Sequence, residues 1–336
     1  MWQVHGQDHI LRQLEASLTQ GRLAHAYLLV GPPHVGKMTL GLDLAQAVNC
    51  ASGPGVPCGV CGQCTRIASG HHADVRVVKV VRSPEEERTR TVIGIDDVKE
   101  VLHRTSLKPF EGACGVVIFD GAEAMSEEAA NALLKTLEEP PPQVVLLLLT
   151  ANEEALLPTL RSRCLRLQLR LMAKQQMVEK LVAEHGAEPQ EAERLARLAR
   201  GCLGWAISAR SNPEVLAERE AELARMQEAW ESRLEGRFSY ASQLASLFFR
   251  DRQSARELLF LWLRWWRDLL LIKEGAEEYV HNSDQLTPLR LQASELSTMQ
   301  VVGFLKRLVQ TLDALDRNAS PRLALEVLML DLPASP

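Results

Sequence analysis

Five short apolar runs punctuate the first half of the chain, at 26–30, 75–81, 115–119, 144–149 and 164–169. Each has the length of a strand, and their unbroken apolar character predicts strands buried on both faces. Between them, apolar residues recur with helical spacing. Leu40, Leu44, Ala47 and Val48 mark one face, and Ile95, Val98, Val101 and Leu102 mark another. Ala130, Leu133, Leu134 and Leu137 follow the i, i+3, i+4, i+7 rule. That last helix has a start and a stop. Ser126 is placed to cap it, Glu127 and Glu128 suit its positive end, and Pro140-Pro141-Pro142 ends it. Strands alternating with helices predict an α/β domain with a mainly parallel sheet.

After about residue 170 the strand pattern vanishes. Short helices fit 173–185 and 189–200, and Gly201 and Gly204 are expected to frame a turn into another helix. Ser211-Asn212-Pro213 then breaks the chain, and everything from 214 onward reads as helix. Leu258, Trp262, Trp265, Trp266 and Leu269 share one face, and Val301, Leu305, Leu308, Leu312 and Leu315 share another. The segment "FLWLRWWRDLLL" (260–271) has rings that would stack on bases. A helix apolar around most of its girth is more often covered by protein, and a subunit interface is the expected cover. "SPEEER" (83–88) is expected to be a solvated loop.

Composition narrows the function classes. With 336 residues, two or three domains are expected. A hydrophobic content of 46% with 24% charged residues is enough for real cores. The net charge of −5 argues against a chain that grips DNA chiefly through its own field. No apolar run reaches the length of a membrane span, and "MWQVHGQDH" lacks the charged-then-apolar pattern of a signal peptide, so a cytoplasmic location is expected.

The segment "GPPHVGKMT" (31–39) follows an apolar run and precedes a helical pattern, as a phosphate-cradling loop does. Gly31 and Gly36 would let backbone amides turn toward a phosphate, and Lys37 would reach the β- and γ-phosphates of ATP. Met38 stands where a hydroxyl should ligate Mg²⁺, a hard cation that wants oxygen. Thr39 is one residue away from that role. In "GVVIFDGAEAM" (115–125), Asp120 ends a strand where such sites hold Mg²⁺ through water. The next residue, where a water-activating carboxylate is usual, is Gly121, and Glu123 lies two further on. Of seven cysteines, four fall together as C-x7-C-x2-C-x2-C: Cys50, Cys58, Cys61 and Cys64. That spacing suits a closed, structural Cys₄ site for Zn²⁺. "PTLRSRCLRLQL" (158–169) carries Arg161, Arg163 and Arg166, which on composition alone read as solvated surface.

Taken in order, these pieces resemble the AAA+ clamp-loader family of bacterial DNA polymerase III. The resemblance runs from "RLAHAYLLVGPPHVGK" through the cysteines to "EEAANALLKTLEEPPPQVVLLLLTANEEALLPTLRSRC", and resumes in "LDRNASPRLALEVLMLDLP". It implies a RecA-like AAA+ domain over 1–168 with a zinc module at 50–64, a helical lid over 169–212, and a helical collar domain over 213–336. It implies that Arg163, in Ser-Arg-Cys, is an arginine finger acting in trans on a neighbouring subunit's ATP. Thr150 or Asn152 would hold the place of a polar residue sensing the γ-phosphate. Gly204 would stand where motor subunits carry a lid arginine. The implied partners are gamma/tau and delta subunits in a hetero-oligomer and, through it, the sliding clamp and primer-template DNA. Because Met38, Gly121 and Gly204 each depart from the motor pattern while Arg163 remains, a non-hydrolysing subunit is expected, with ATP or ADP doubtful in its own site. An active gamma/tau-type motor is the alternative.

Overall fold

The computed structural model describes residues 1–80, 92–105, 108–317 and 319–334. The 83–88 segment and residue 81, at the end of the second apolar run, lie outside the described residues. The chain divides into two compact units, Met1–Ala173 with Gly201–Trp205, and Lys174–Arg200 with Ala206–Pro336.

The first unit is built on five strands: β1 (Ala26–Val30), β2 (Val75–Lys79), β3 (Gly115–Asp120), β4 (Val144–Thr150) and β5 (Leu165–Gln168). They pair in the order β2-β3-β4-β1-β5, and all pairs are parallel. Parallel neighbours need crossovers, and helices supply them. These are α1 (Asp8–Thr19), α2 (Lys37–Asn49), α3 (Gly62–Ala68), α4 (Ile95–Thr105), α5 (Glu127–Glu138) and α6 (Pro158–Arg161). The pleat sends alternate side chains to opposite faces. Val116, Ile118, Leu147 and Leu149 join Ile10, Leu14, Leu40 and Leu44 in one core. Val117, Phe119, Leu146 and Leu148 join Val98, Leu133 and Leu137 in the other.

The central strands are buried on both faces, as their apolar runs predict. The edge strands are not: Val77 and Leu165 are exposed. Strand order decides this, since β2 and β5 have a neighbour on one side only. Ser126 accepts a hydrogen bond from the Ala129 amide (3.1 Å), and α5 ends at Glu138, before the three prolines.

In the second part of the chain come α7 (Lys174–His185), α8 (Pro189–Ala199), α9 (Leu203–Ser211), α10 (Pro213–Glu231), α11 (Leu234–Arg250), α12 (Arg252–Lys273), α13 (Leu286–Glu295), α14 (Thr298–Asp316) and α15 (Pro321–Leu330). Gly204 lies inside the first turn of α9 rather than in the turn before it. The tryptophans of α12 are not an exposed interface. Trp262, Trp265 and Trp266 are buried in the second unit's own core. Trp266 meets the Phe304 ring at 4.3 Å, and Trp262 donates to the Tyr240 hydroxyl at 2.9 Å. An apolar girth shows that a helix is covered, but not whether its own chain does the covering.

Candidate functional site

The loop after β1 is shaped for an anion. Gly36 adopts a left-handed conformation (φ 105°), and no side chain caps the α2 N-terminus that follows it. Amides at such a terminus point at whatever lies in front of them. Gly31 is held against β4 by its amide, which donates to the Thr150 carbonyl (3.2 Å). A Cβ there would come within 2.9 Å of Val35 Cγ1. The expected phosphate ligand, Lys37, is turned onto its own loop. Its Nζ donates to the Gly31 carbonyl (2.6 Å) and the Pro32 carbonyl (2.9 Å). Burial pushes this ammonium below the usual lysine range, and the charges of Glu123 and Asp120 partly offset that. Met38 packs against the apolar core, and Thr39 is half-buried on α2.

Asp120 ends β3, facing this loop electrostatically. Burial raises its pKa, Lys37 lowers it, and Glu123 raises it further. Glu123 reaches the site through backbone geometry. Gly121 is left-handed (φ 77°), and a short 3₁₀ turn over Ala122–Ala124 brings the carboxylate back. One oxygen accepts from the Ala151 amide (3.2 Å), and the other is buried without a partner. A left-handed glycine after a strand-end acid is the signal by which sequence reasoning could have placed Glu123 here.

Thr150 is fully buried at the end of β4, where its hydroxyl accepts from the Asn152 amide (3.0 Å). The Asn152 side chain accepts from the Glu154 amide (3.2 Å). Gly204 presses on the loop from the other side. Its amide donates to the His34 carbonyl (3.1 Å), and a Cβ at Gly204 would sit 2.8 Å from that oxygen. Any larger residue there must displace the loop's backbone.

The arginines lie elsewhere on the first unit. Arg163 is half-exposed and donates to Glu138 Oε1 (2.6 Å) and to the Thr159 carbonyl (3.1 Å). Arg161 pairs with Glu154 (2.9 Å) and Arg166 with Glu153 (2.6 Å).

Four sulfur atoms converge at the end of α2. Those of Cys50, Cys58, Cys61 and Cys64 all lie within 4.8 Å of one another. A tetrahedral zinc with bonds of about 2.3 Å sets sulfurs ~3.8 Å apart, so a small contraction would seat the ion. Backbone amides already point at the sulfurs: Cys58 N at Cys50 Sγ (3.4 Å), Cys61 N at Cys58 Sγ (3.3 Å) and Cys64 N at Cys61 Sγ (3.5 Å). Amide donors from Val60 and Cys61 hold the Cys58 thiol down at about 6, whereas burial pushes Cys64 up to about 12. The cluster could hold zinc as an all-thiolate site.

The surroundings fix its place. Gln46 on α2 donates to the Cys64 carbonyl (3.0 Å). Gln63 on α3 donates to the Glu111 carbonyl (2.6 Å), and Asp74 accepts from the amides of Phe110, Glu111 and Gly112. Sequence reading missed this support, because Gln46 and Asp74 act through backbone partners far along the chain.

A parallel α/β sheet with a glycine loop between its first strand and a helix, a strand-end acid, and a tetracysteine turn after that helix define a P-loop protein of the AAA+ type. The sequence family described as DNA polymerase III, delta subunit, matches residues 6–173, and the chain belongs to it. The delta-prime subunit of DNA polymerase III from Bacillus subtilis is 27% identical over 97% of this chain and 96% of its own length. The tau subunit from Escherichia coli is 37% identical over 61% of this chain, a match spanning 31% of that subunit. A solved structure of a gamma subunit-related protein from Thermotoga maritima aligns with a TM-score of 0.41 at 19% identity, covering 98% of this chain and 97% of that one. No described helix is long and apolar enough to cross a membrane.

Proposed function

We propose that this chain is a non-hydrolysing subunit of a DNA polymerase III clamp loader. In this reading it sits beside gamma/tau and delta subunits in the cytoplasm and helps load the sliding clamp onto primed DNA. It holds a structural Zn²⁺ on Cys50, Cys58, Cys61 and Cys64, and it donates Arg163 to a neighbour's ATP. The division into an AAA+ domain to 168, a lid to 212 and a collar domain beyond belongs to the same proposal.

The observation that carries it is the state of the nucleotide loop. Lys37 is already satisfied by the Gly31 and Pro32 carbonyls, Met38 offers no oxygen, and Gly204 packs its backbone on His34. Each removes an element that metal-assisted phosphoryl transfer needs. Arg163, by contrast, is spent only on a half-exposed ion pair with Glu138. Such pairs contribute about 0–1 kcal/mol, so exchanging Glu138 for a phosphate oxygen costs the chain little.

A gamma/tau-type motor is the second reading, and one observation favours it: the Glu123 carboxylate is turned toward Lys37 and Asp120 despite Gly121. The test is ATP turnover by a motor-subunit complex reconstituted with this chain, as it stands or as Arg163→Ala, beside the chain alone. The expected outcome is a silent isolated chain, stimulation by the intact chain, and an alanine form that assembles but leaves the served site slower by roughly 10³-fold. Turnover by the isolated chain, or an alanine form as good as the parent, would sink the proposal.

A further inference from the structure

The second unit gathers more arginines than its acids can serve. Asp268 on α12 is fully buried, and its oxygens are taken. They accept from Arg267 Nη1 (2.9 Å), the amides of His281 (3.1 Å) and Asn282 (2.9 Å), and Asn282 Nδ2 (2.8 Å). Asn282 in turn accepts from Arg219, whose guanidinium also holds Asp284 (2.7 Å). The 3₁₀ turn carrying Asp284 touches α8, the helix that Arg200 ends in a left-handed conformation (φ 50°). Arg264 lies one helical turn before Asp268, on the same face of α12, and is half-buried. It forms no hydrogen bond or ion pair with any described residue. The acid on its own stripe, Glu257, is exposed and accepts from Gln253 (3.0 Å).

We propose that Arg264, with Arg200 and Arg219 around it, forms a binding site for a phosphate group. Guanidiniums brought together without an intervening acid repel one another, and a phosphate turns that repulsion into attraction. The planar fork of arginine matches phosphate oxygens two at a time. The electrostatics agree with the geometry. Burial, then the Arg200 and Arg219 charges, push the Arg264 guanidinium down to about 9, against the pull of Glu257 and Asp268. Arg200 is exposed and opens the cluster to solvent. The site does not depend on the clamp-loader reading. Its phosphate would come either from a free anion or from a nucleic-acid backbone.

The test is titration of the full chain and of Arg264→Met with inorganic phosphate at constant ionic strength, balanced with chloride. Melting temperature and the ³¹P linewidth are followed together. The parent is expected to gain stability saturably and to broaden the phosphate signal. Arg264→Met is expected to melt higher than the parent in chloride, because a repulsion is gone, and to ignore phosphate. Arg264→Lys keeps the charge without the fork and should bind about 10-fold more weakly. Anisotropy of a labelled single-stranded oligonucleotide distinguishes the sources. Binding that phosphate displaces, and that Arg264→Met lacks, assigns a nucleic-acid backbone; phosphate binding without it assigns a free anion. Equal phosphate responses from the parent and both variants would overturn the site.

Discussion

Lys37 and His281 show how much one side chain's surroundings decide. A phosphate-loop lysine is useful only if its ammonium is free to leave the loop, and here two carbonyls of the same loop hold it. His281 is a different case. Burial, reinforced by Arg267, pushes its imidazole down to about 4, with Arg200 and Arg264 adding to the shift and Asp268 opposing it. Its ordinary value is near 6.5, so between those two values the unfolded chain binds the proton and the folded chain does not. Stability from this group is therefore fully present above about pH 6.5, is lost as the pH falls toward about 4, and changes no further below that. Urea midpoints of the parent and of His281→Asn, measured from pH 4 to 7, should diverge on the neutral side and converge on the acid side. A constant gap across that range would refute the assignment.

At the scale of elements, the cysteine turn depends on its ion in a way the sheet does not. Helix α3 has seven residues, too few to be stable alone. Its N-cap is Cys61, whose sulfur accepts from the Cys64 amide. The four sulfurs close the turn from both ends, so a chelator should unfold this turn first. Zinc bound per chain is expected to be one by mass spectrometry of the native protein. Its removal should expose the amides of 58–68 to hydrogen exchange while those of β3 and β4 stay protected. If exchange over 58–68 is the same with and without chelator, the cluster is not a structural metal site.

The same scale shows what was legible in the sequence. The three central strands and helices α2, α4 and α5 follow from apolar periodicity, because each buries a face that one pattern describes. Helix α1 went unread, although Ile10, Leu14 and Leu18 repeat every fourth residue, because polar residues dilute the stripe. The exposure of β2 and β5 depends on strand order, which periodicity does not carry. The cysteine ligands were legible from spacing alone. The return of Glu123 to the site and the packing of Gly204 on His34 depend on backbone turns that no side-chain pattern encodes.

At the scale of the whole molecule, the division into two units has an energetic consequence. Each unit has cores of its own: two flanking the sheet, and one around the tryptophans of α12. Nothing apolar in the first unit's cores requires the second unit's tryptophans, and no cysteine of the cluster lies in the second unit. Two cooperative transitions are therefore expected on heating rather than one. They should respond to different perturbations. Trp266 is almost fully buried against Phe304, and cutting it to alanine removes a large ring from a packed core. Losses of this kind cost about 3–5 kcal/mol. Trp266→Ala should lower one calorimetric transition by many degrees and leave the other in place. The chelator should do the reverse, lowering only the transition that Trp266→Ala spares. If both perturbations lower a single transition together, the two units fold as one, and the separate cores do not amount to separate cooperative bodies.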